Sequence, residues 1–378
     1  MSKRNLFIFN SNRILWRQAT PIIFLVVWTF LGLVAIDAFI NIFFAYPKDP
    51  KFMNPSRFQL YFEYGRSVEG KLARMTRQNR AETAPITLSG WYDPLNVKEE
   101  HSKSSASIVT FYGPSHAVNL ANALGRTSDR FSPRIVSAPG ATSNWAYGAY
   151  LRDRGGSKSR AVVLAFASLN FAMISSFSPM IWIPDSPIPY TADRFYLEGD
   201  HLRVIHAPYA SFDQYVKMFY NPAAWSAALK VFARNDSFYD SFVMRANILD
   251  YSSLWRLFRR GYSQNLIRDR QKSALDQSGF RSDSEQVRVA RAIIHEFAMQ
   301  ARSDGMVPVI FIFNNFGYPD NLFRALRPVL DADNIPYLSS DTIASPHDSR
   351  GYLPDGHFTD EEDNRLAAAL VEVIENGR

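Results

Sequence analysis

The sequence predicts an α/β protein: a three-layer sandwich on a parallel sheet, with a helical insertion and one N-terminal transmembrane helix. Three observations lead there. From residue 107 onward, short and nearly continuous apolar runs alternate with helical stretches, the rhythm of buried parallel strands and their crossovers. Residues 175–284 break that rhythm with an irregular, aromatic-rich stretch. Residues 20–47 form a long apolar run whose one charge is Asp37.

Composition sets the bounds. The chain has 378 residues, 47% of them hydrophobic, enough for one large domain or two modest ones. It contains no cysteine, so neither disulfides nor thiolate metal sites hold it together. The net charge of +6 suits an anionic partner. The basic residues are scattered, however, with no dense Lys/Arg tract interleaved with aromatics, which argues against nucleic acid. A basic protein of the cell envelope, facing acidic polysaccharide or lipid headgroups, fits the same charge.

Residues 1–19 form a basic tail, in which Lys3, Arg4, Arg13 and Arg17 have no acidic residue among them. Residues 20–46 read as the transmembrane helix. As a helix, 22–45 would be about 36 Å long, enough to cross a hydrocarbon core of about 30 Å. Pro21 suits a first helical turn, where a missing N–H costs nothing. A buried core helix is the other reading of this run. For a cleaved signal peptide the run is too long, and no clean small-x-small site follows. The basic flank puts the N-terminus in the cytoplasm and everything after Pro47 outside the inner membrane, periplasmic or extracellular. Asp37 is expensive against lipid, so it is expected to face a partner helix or to sit shallow near the outer leaflet.

Residues 47–106 form a proline-punctuated neck, helical in "RFQLYFEYGRSVEGKLARM" and ending in the polar loop "EEHSKSSAS". The domain proper, 107–378, offers five strands: "SIVTFYG" (107–113), "RIVSAPG" (134–140), "AVVLAFAS" (161–168), "PVIFIFNN" (308–315) and "IPYLSS" (335–340). Within residues 284–305, Val287, Ala290, Ala292, Ile293, Ile294, Phe297 and Ala298 make a helical apolar stripe that Gly305 ends. The last helix opens at Thr359 as N-cap. Asp360, Glu361 and Glu362 fill the turn where negative charge favours the dipole. The insertion, 175–284, falls between the third and fourth strands, where it makes a lid, a substrate groove or a satellite core.

In an open parallel sheet, ligands bind at the carboxyl ends of the strands. Ser115 follows the first strand, Gly140 the second and Asn170 the third, while Asp355 and His357 stand in a loop before the last helix. Such a set supplies a nucleophile, a base, a carboxylate to orient the base, and donors for an oxyanion. Each residue also has an ordinary explanation: a turn serine, a turn glycine, a strand-capping asparagine, a loop acid, a surface histidine. His116, directly after the serine, is expected to point away or into the next helix. His347, Asp348, Asp355 and His357 offer a metal cluster, but no tight His-x-x-x-His helix supports it. No cofactor is called for.

These blocks are "FYGPSHA" with Ser115, "SAPGATSNW" with Gly140, "VVLAFASLNF" with Asn170, and "LPDGHFTDEEDNRLA" with Asp355 and His357. In this order they resemble the SGNH (GDSL-like) hydrolase and acyltransferase superfamily, over about residues 107–175 and 308–377. The resemblance implies a flavodoxin-like sandwich, Ser115 as nucleophile, His357 as general base and Asp355 as its orienting carboxylate. It implies an oxyanion hole made of the Ser115 N–H, the Gly140 N–H and the Asn170 side-chain amide. Three departures from the family pattern stand in the sequence. Gly113-Pro114-Ser115 replaces Gly-Asp-Ser, and Ser168-Leu169-Asn170-Phe171 replaces Gly-x-Asn-Asp. Asp355 lies two residues before His357, where three is commoner. The rival Gly-x-Ser-x-Gly elbow of α/β-hydrolases fails at its fifth position, Ala117.

A single anchor with the catalytic domain outside resembles the membrane-anchored envelope branch of the superfamily. That likeness implies a serine acyl-ester enzyme moving an O-acyl group, such as acetyl, to or from an envelope or extracellular polysaccharide, with transfer favoured over hydrolysis. It also implies a multi-span membrane acyltransferase as partner. The departures keep a second reading open: a catalytically degenerate glycan-binding or scaffolding subunit of such a complex.

Overall fold

The computed structural model describes residues 10–48, 54–93, 97–99, 106–156, 158–277 and 279–377. Helix α1 (Asn10–Phe43) is a rod of 34 residues, and its stretch Pro21–Phe43 is long and apolar enough to cross a membrane. Pro21 lies inside this helix, not in its first turn as expected, because the helix already begins at Asn10. An internal proline removes one backbone hydrogen bond, which apolar helices of this length tolerate. The neck supplies α2 (Arg57–Glu63) and α3 (Val68–Met75), each opened by a capping serine, Ser56 and Ser67.

After a short strand, β1 (Lys98–Glu99), the alternation begins. It runs β2 (Ser107–Gly113), α4 (Ser115–Thr127), β3 (Phe131–Ser137), α5 (Ser143–Asp153) and β4 (Ala161–Ala167). The insertion follows with α6 (Pro179–Trp182), the hairpin β5 (Arg194–Glu198) and β6 (His201–Ile205), α7 (Phe212–Phe219) and α8 (Pro222–Asn235). It continues through α9 (Ser241–Met244), α10 (Ser253–Lys272) and the small ribbon β7 (Leu275–Asp276) and β8 (Gly279–Phe280). The chain then returns to the sheet with α11 (Glu285–Ser303), β9 (Val307–Phe313), α12 (Asn321–Ala332), β10 (Tyr337–Ser339) and α13 (Asp360–Asn376).

The main sheet has the order β1-β3-β2-β4-β9-β10. Five strands, β3 to β10 in that order, are parallel, and β1 adds an antiparallel edge that the apolar pattern does not announce. The five parallel strands are buried on both faces over most of their length, as the near-continuous apolar runs require. Tyr112, Leu164, Phe166, Ile310 and Ile312 join one core with α5, α11 and α12. Val109, Phe111, Val163, Ala165, Val309 and Phe311 join the other with α4 and α13. On α11 the expected stripe is buried except for Ala292, which is half-exposed.

The aromatics of the insertion form a third core, with Phe177, Tyr209, Tyr215, Trp225 and Phe232 at its centre. Val68 and Leu72 of α3 join it, so the neck packs into the insertion. Asp37 finds its partners here as well, within its own chain. Its Oδ1 accepts from the Leu254 N–H at 2.8 Å and from the Ser252 hydroxyl at 3.1 Å, at the start of α10. A carboxylate at a helix N-terminus meets unsatisfied N–H groups and the positive end of the dipole. The helix facing Asp37 is thus α10.

Strand order reverses between β2 and β4, because α4 leads outward to β3 and α5 leads back past β2. Crevices for ligands open at the carboxyl ends of strands at such a switch point. Ser115 comes directly after β2 and Pro114, at that end of the sheet.

Candidate active site

Ser115 is the first residue of α4. Its predecessor Pro114 is the N-cap, with extended backbone and no side-chain hydrogen bond to the helix. The first N–H groups of α4, those of Ser115 and His116, are therefore left uncapped beside the serine hydroxyl, at the positive end of the helix dipole.

The histidine and the acid come from a tight hairpin. The Gly356 N–H donates to the Leu353 carbonyl at 2.9 Å and the Leu353 N–H to the His357 carbonyl at 2.7 Å, while Tyr352 and Phe358 bridge across. Pro354 presets one turn position, and Gly356 takes the left-handed conformation, φ +88°, that a side chain resists. This turn closes the two-residue spacing between acid and base. One Asp355 oxygen accepts from the His357 backbone N–H at 3.2 Å, and the other lies 3.1 Å from the ring Nδ1. The ring Nε2 lies 2.6 Å from Ser115 Oγ. With Nδ1–H turned to the carboxylate, Nε2 keeps its lone pair for the serine proton.

The three groups differ in exposure. The His357 side chain is 25% exposed and that of Asp355 66%, so water screens the acid from the ring far more than in a buried triad. Hydrogen bonds from the His357 backbone and ring hold the Asp355 carboxyl below the usual carboxylate range.

Of the two orientations expected for His116, away from the site or into the next helix, the first does not occur: the side chain is buried beside His357. Its ring stacks on His357 at 4.6 Å between centroids and on Phe313 at 4.2 Å, and its Nε2 lies 3.3 Å from the Gly356 carbonyl. Burial first, and the neighbouring His357 second, lower its pKa to about 4. A neutral His116 can donate to that carbonyl, so it braces both the catalytic-type histidine and the glycine that shapes the loop. The sequence signal was present: His116 directly follows Ser115, at the second position of the helix that the serine opens.

On the other side, Gly140 turns with φ +65°. The Asn170 Nδ2 donates to the carbonyls of Gly140 and Ala141, both at 3.3 Å. The Asn170 amide nitrogen thus holds the 140–141 loop. Asp348 pairs with Arg350. Among the described residues no group of three or more His, Asp or Glu side chains is placed to hold a metal ion.

Around the strand ends the surface is apolar: Leu169, Phe316, Tyr318 and Leu353 are all exposed. A cavity of about 140 Å³ opens there, lined by Ser168 and Leu169, by Tyr318, and by Gln271 and Phe280 of the insertion. The insertion therefore walls a pocket beside the strand ends. A larger cavity of about 370 Å³ lies by the neck, between Tyr46, Lys71 and Asp185, and Ser115 is not among its lining residues. The chain matches no protein-family model, no curated protein and no solved structure.

Proposed function

We propose that the chain is a membrane-anchored serine acyl-ester enzyme of SGNH type, which moves an O-acyl group to or from an envelope or extracellular polysaccharide. One observation carries the reading: His357 lies between Ser115 Oγ at 2.6 Å from its Nε2 and an Asp355 oxygen at 3.1 Å from its Nδ1, on the switch-point edge of a parallel sheet. Ser115 Oγ attacks the ester carbonyl as His357 Nε2 takes its proton, and Asp355 steadies the imidazolium. The oxyanion is stabilised by the uncapped N–H groups opening α4. Collapse expels the alcohol, which takes the proton back from His357, and leaves Ser115 acylated. A second alcohol or water then gives its proton to His357, attacks the acyl-enzyme and restores the serine.

The anchor and its basic flank support an N-terminus in the cytoplasm and a domain outside the inner membrane. Transfer to a glycan hydroxyl, with a multi-span membrane acyltransferase supplying the acyl group, fits that placement. A second reading, a non-catalytic glycan-binding or scaffolding subunit, is favoured by the Asn170 amide being turned to the Gly140 and Ala141 carbonyls. Turnover of a small acyl ester by the full chain separates the two. The enzyme reading expects Ser115→Ala to lose roughly 10⁴-fold or more of that turnover while remaining folded. Undiminished turnover in a folded Ser115→Ala variant would overturn it.

A further inference from the structure

We propose that the surface beside the outer end of α1 is a lipid-seating face, on which the domain rests in the interfacial layer of the bilayer that α1 crosses. The proposal rests on α1 crossing a membrane and is independent of the acyl chemistry.

The height of this surface is fixed by hydrogen bonds. Asp37 lies six residues before the end of α1, about 9 Å at 1.5 Å per residue, so it is inside the apolar stretch Pro21–Phe43. It holds Ser252 and the Leu254 N–H, and Asn41, one turn further, accepts from Ser253 and Arg256 at 2.9 Å each. The 3-10 turn Ile248–Tyr251 immediately precedes Ser252. It is therefore pinned level with the last turns of the apolar rod. Just beyond the end of α1, Phe44 packs against Phe58 and Phe62, and the Gln59 amide donates to the Ala45 carbonyl at 2.8 Å, which ties α2 down.

At that level the domain turns apolar side chains outward. Ile248 is 81% exposed and Tyr251 76%, with Phe58, Tyr61 and Phe258 also exposed. Phe39, Ile42 and Phe43 of α1, which flank Asp37 and Asn41 in the helix, are exposed as well. A patch of this kind on a water-soluble surface is a liability, whereas tyrosine and phenylalanine suit the headgroup boundary. The attachment of this turn to the exposed apolar end of α1, through Asp37 and Asn41, identifies the occupant as lipid. The consequence reaches the candidate active site. Helix α10, 20 residues and about 30 Å long, begins at this face and ends near Gln271, which lines the cavity beside Ser168. A seated domain would hold that cavity at a set distance from the membrane.

The absence of cysteine makes the test clean, since each introduced thiol is unique. Full-length Ile248→Cys and Tyr251→Cys proteins, labelled with an environment-sensitive fluorophore, are reconstituted into phosphatidylcholine–phosphatidylglycerol vesicles carrying nitroxide lipid. Leu31→Cys, inside the span, and Met299→Cys, exposed on α11, serve as references. Seating predicts blue-shifted emission and lipid quenching at 248 and 251, approaching those at 31, with neither at 299. Water-like emission at 248 and 251 would overturn the proposal. So would a blue shift without lipid quenching, which would mean a protein covers the face, and so would an unquenched label at 31.

Discussion

The corner that carries Ser115 and the junction that carries Asp37 are both built on a helix N-terminus, and they treat it in opposite ways. At α4 the cap is Pro114, which offers no side-chain oxygen, so the first N–H groups are left for a ligand. At α10 the Ser252 hydroxyl accepts from the Trp255 N–H while Asp37 takes the Leu254 N–H, so that end is closed. In the proposed chemistry the open terminus meets a negative charge that comes and goes. The closed one fastens two helices permanently. The same contrast runs through the charges around them: Asp355 is exposed and pairs with one histidine, whereas Glu63 is buried and accepts from Arg66, Arg74 and Arg256.

The strongest way to break this contrast is to remove Glu63. Glu63→Ala takes the carboxylate from the buried Arg66 and Arg256 and from the partly exposed Arg74, and loss of one partner from a buried network costs about 3–5 kcal/mol. Urea unfolding of the full chain in detergent should register that loss. Under native conditions the reactivity of Ser115 should stay unchanged, because no member of the network touches it. A variant as stable as the parent would show that the junction is not a fastening.

A smaller effect should separate the two regions by pH. Asp363, buried in the first turn of α13, has its pKa raised to about 7 by burial and then by Asp360. A carboxyl whose folded pKa is raised stabilises the fold when protonated, below its unfolded value near 3.8, and that contribution is lost as pH rises through about 7. The melting temperature should therefore fall between pH 5 and pH 8, and Asp363→Asn should reduce the fall. An unchanged pH dependence in Asp363→Asn would contradict the assignment.

The smallest expected effect sharpens the picture of the corner itself. His116→Phe keeps the ring stack under His357 but loses the bond to Gly356, so Ser115 reactivity should drop by roughly tenfold. His116→Ala, which loses both, should fall further. Equal rates in all three proteins would mean that His116 braces nothing.

The corner was far more legible in the sequence than the junction, and the reason is physical. Strand ends in a parallel sheet are announced by apolar runs, and chemistry needs particular residue types at those ends, so Ser115, Gly140, Asn170, Asp355 and His357 could be singled out. The strand β3 was placed late because Pro133 and Arg134 disguise its start at Phe131. His116 was misplaced because local adjacency says nothing about which way a ring turns at the second position of a helix. The junction left no comparable trace. Asp37 and Leu254 are 217 residues apart, Glu63 and Arg256 are 193 apart, and single charges carry no periodicity that points to their partners. Asp37 alone was a usable sign, since a carboxylate in an apolar run must find donors, and they came from the chain's own insertion.

The central claim is that Ser115 is an activated nucleophile, and a fluorophosphonate probe tests it most directly. The full chain would be treated with the probe and the adduct located by peptide mapping, alongside His357→Ala. The account predicts labelling at Ser115 that disappears in the folded His357→Ala protein. No adduct in the folded parent, or labelling of Ser115 that persists without His357, would contradict it.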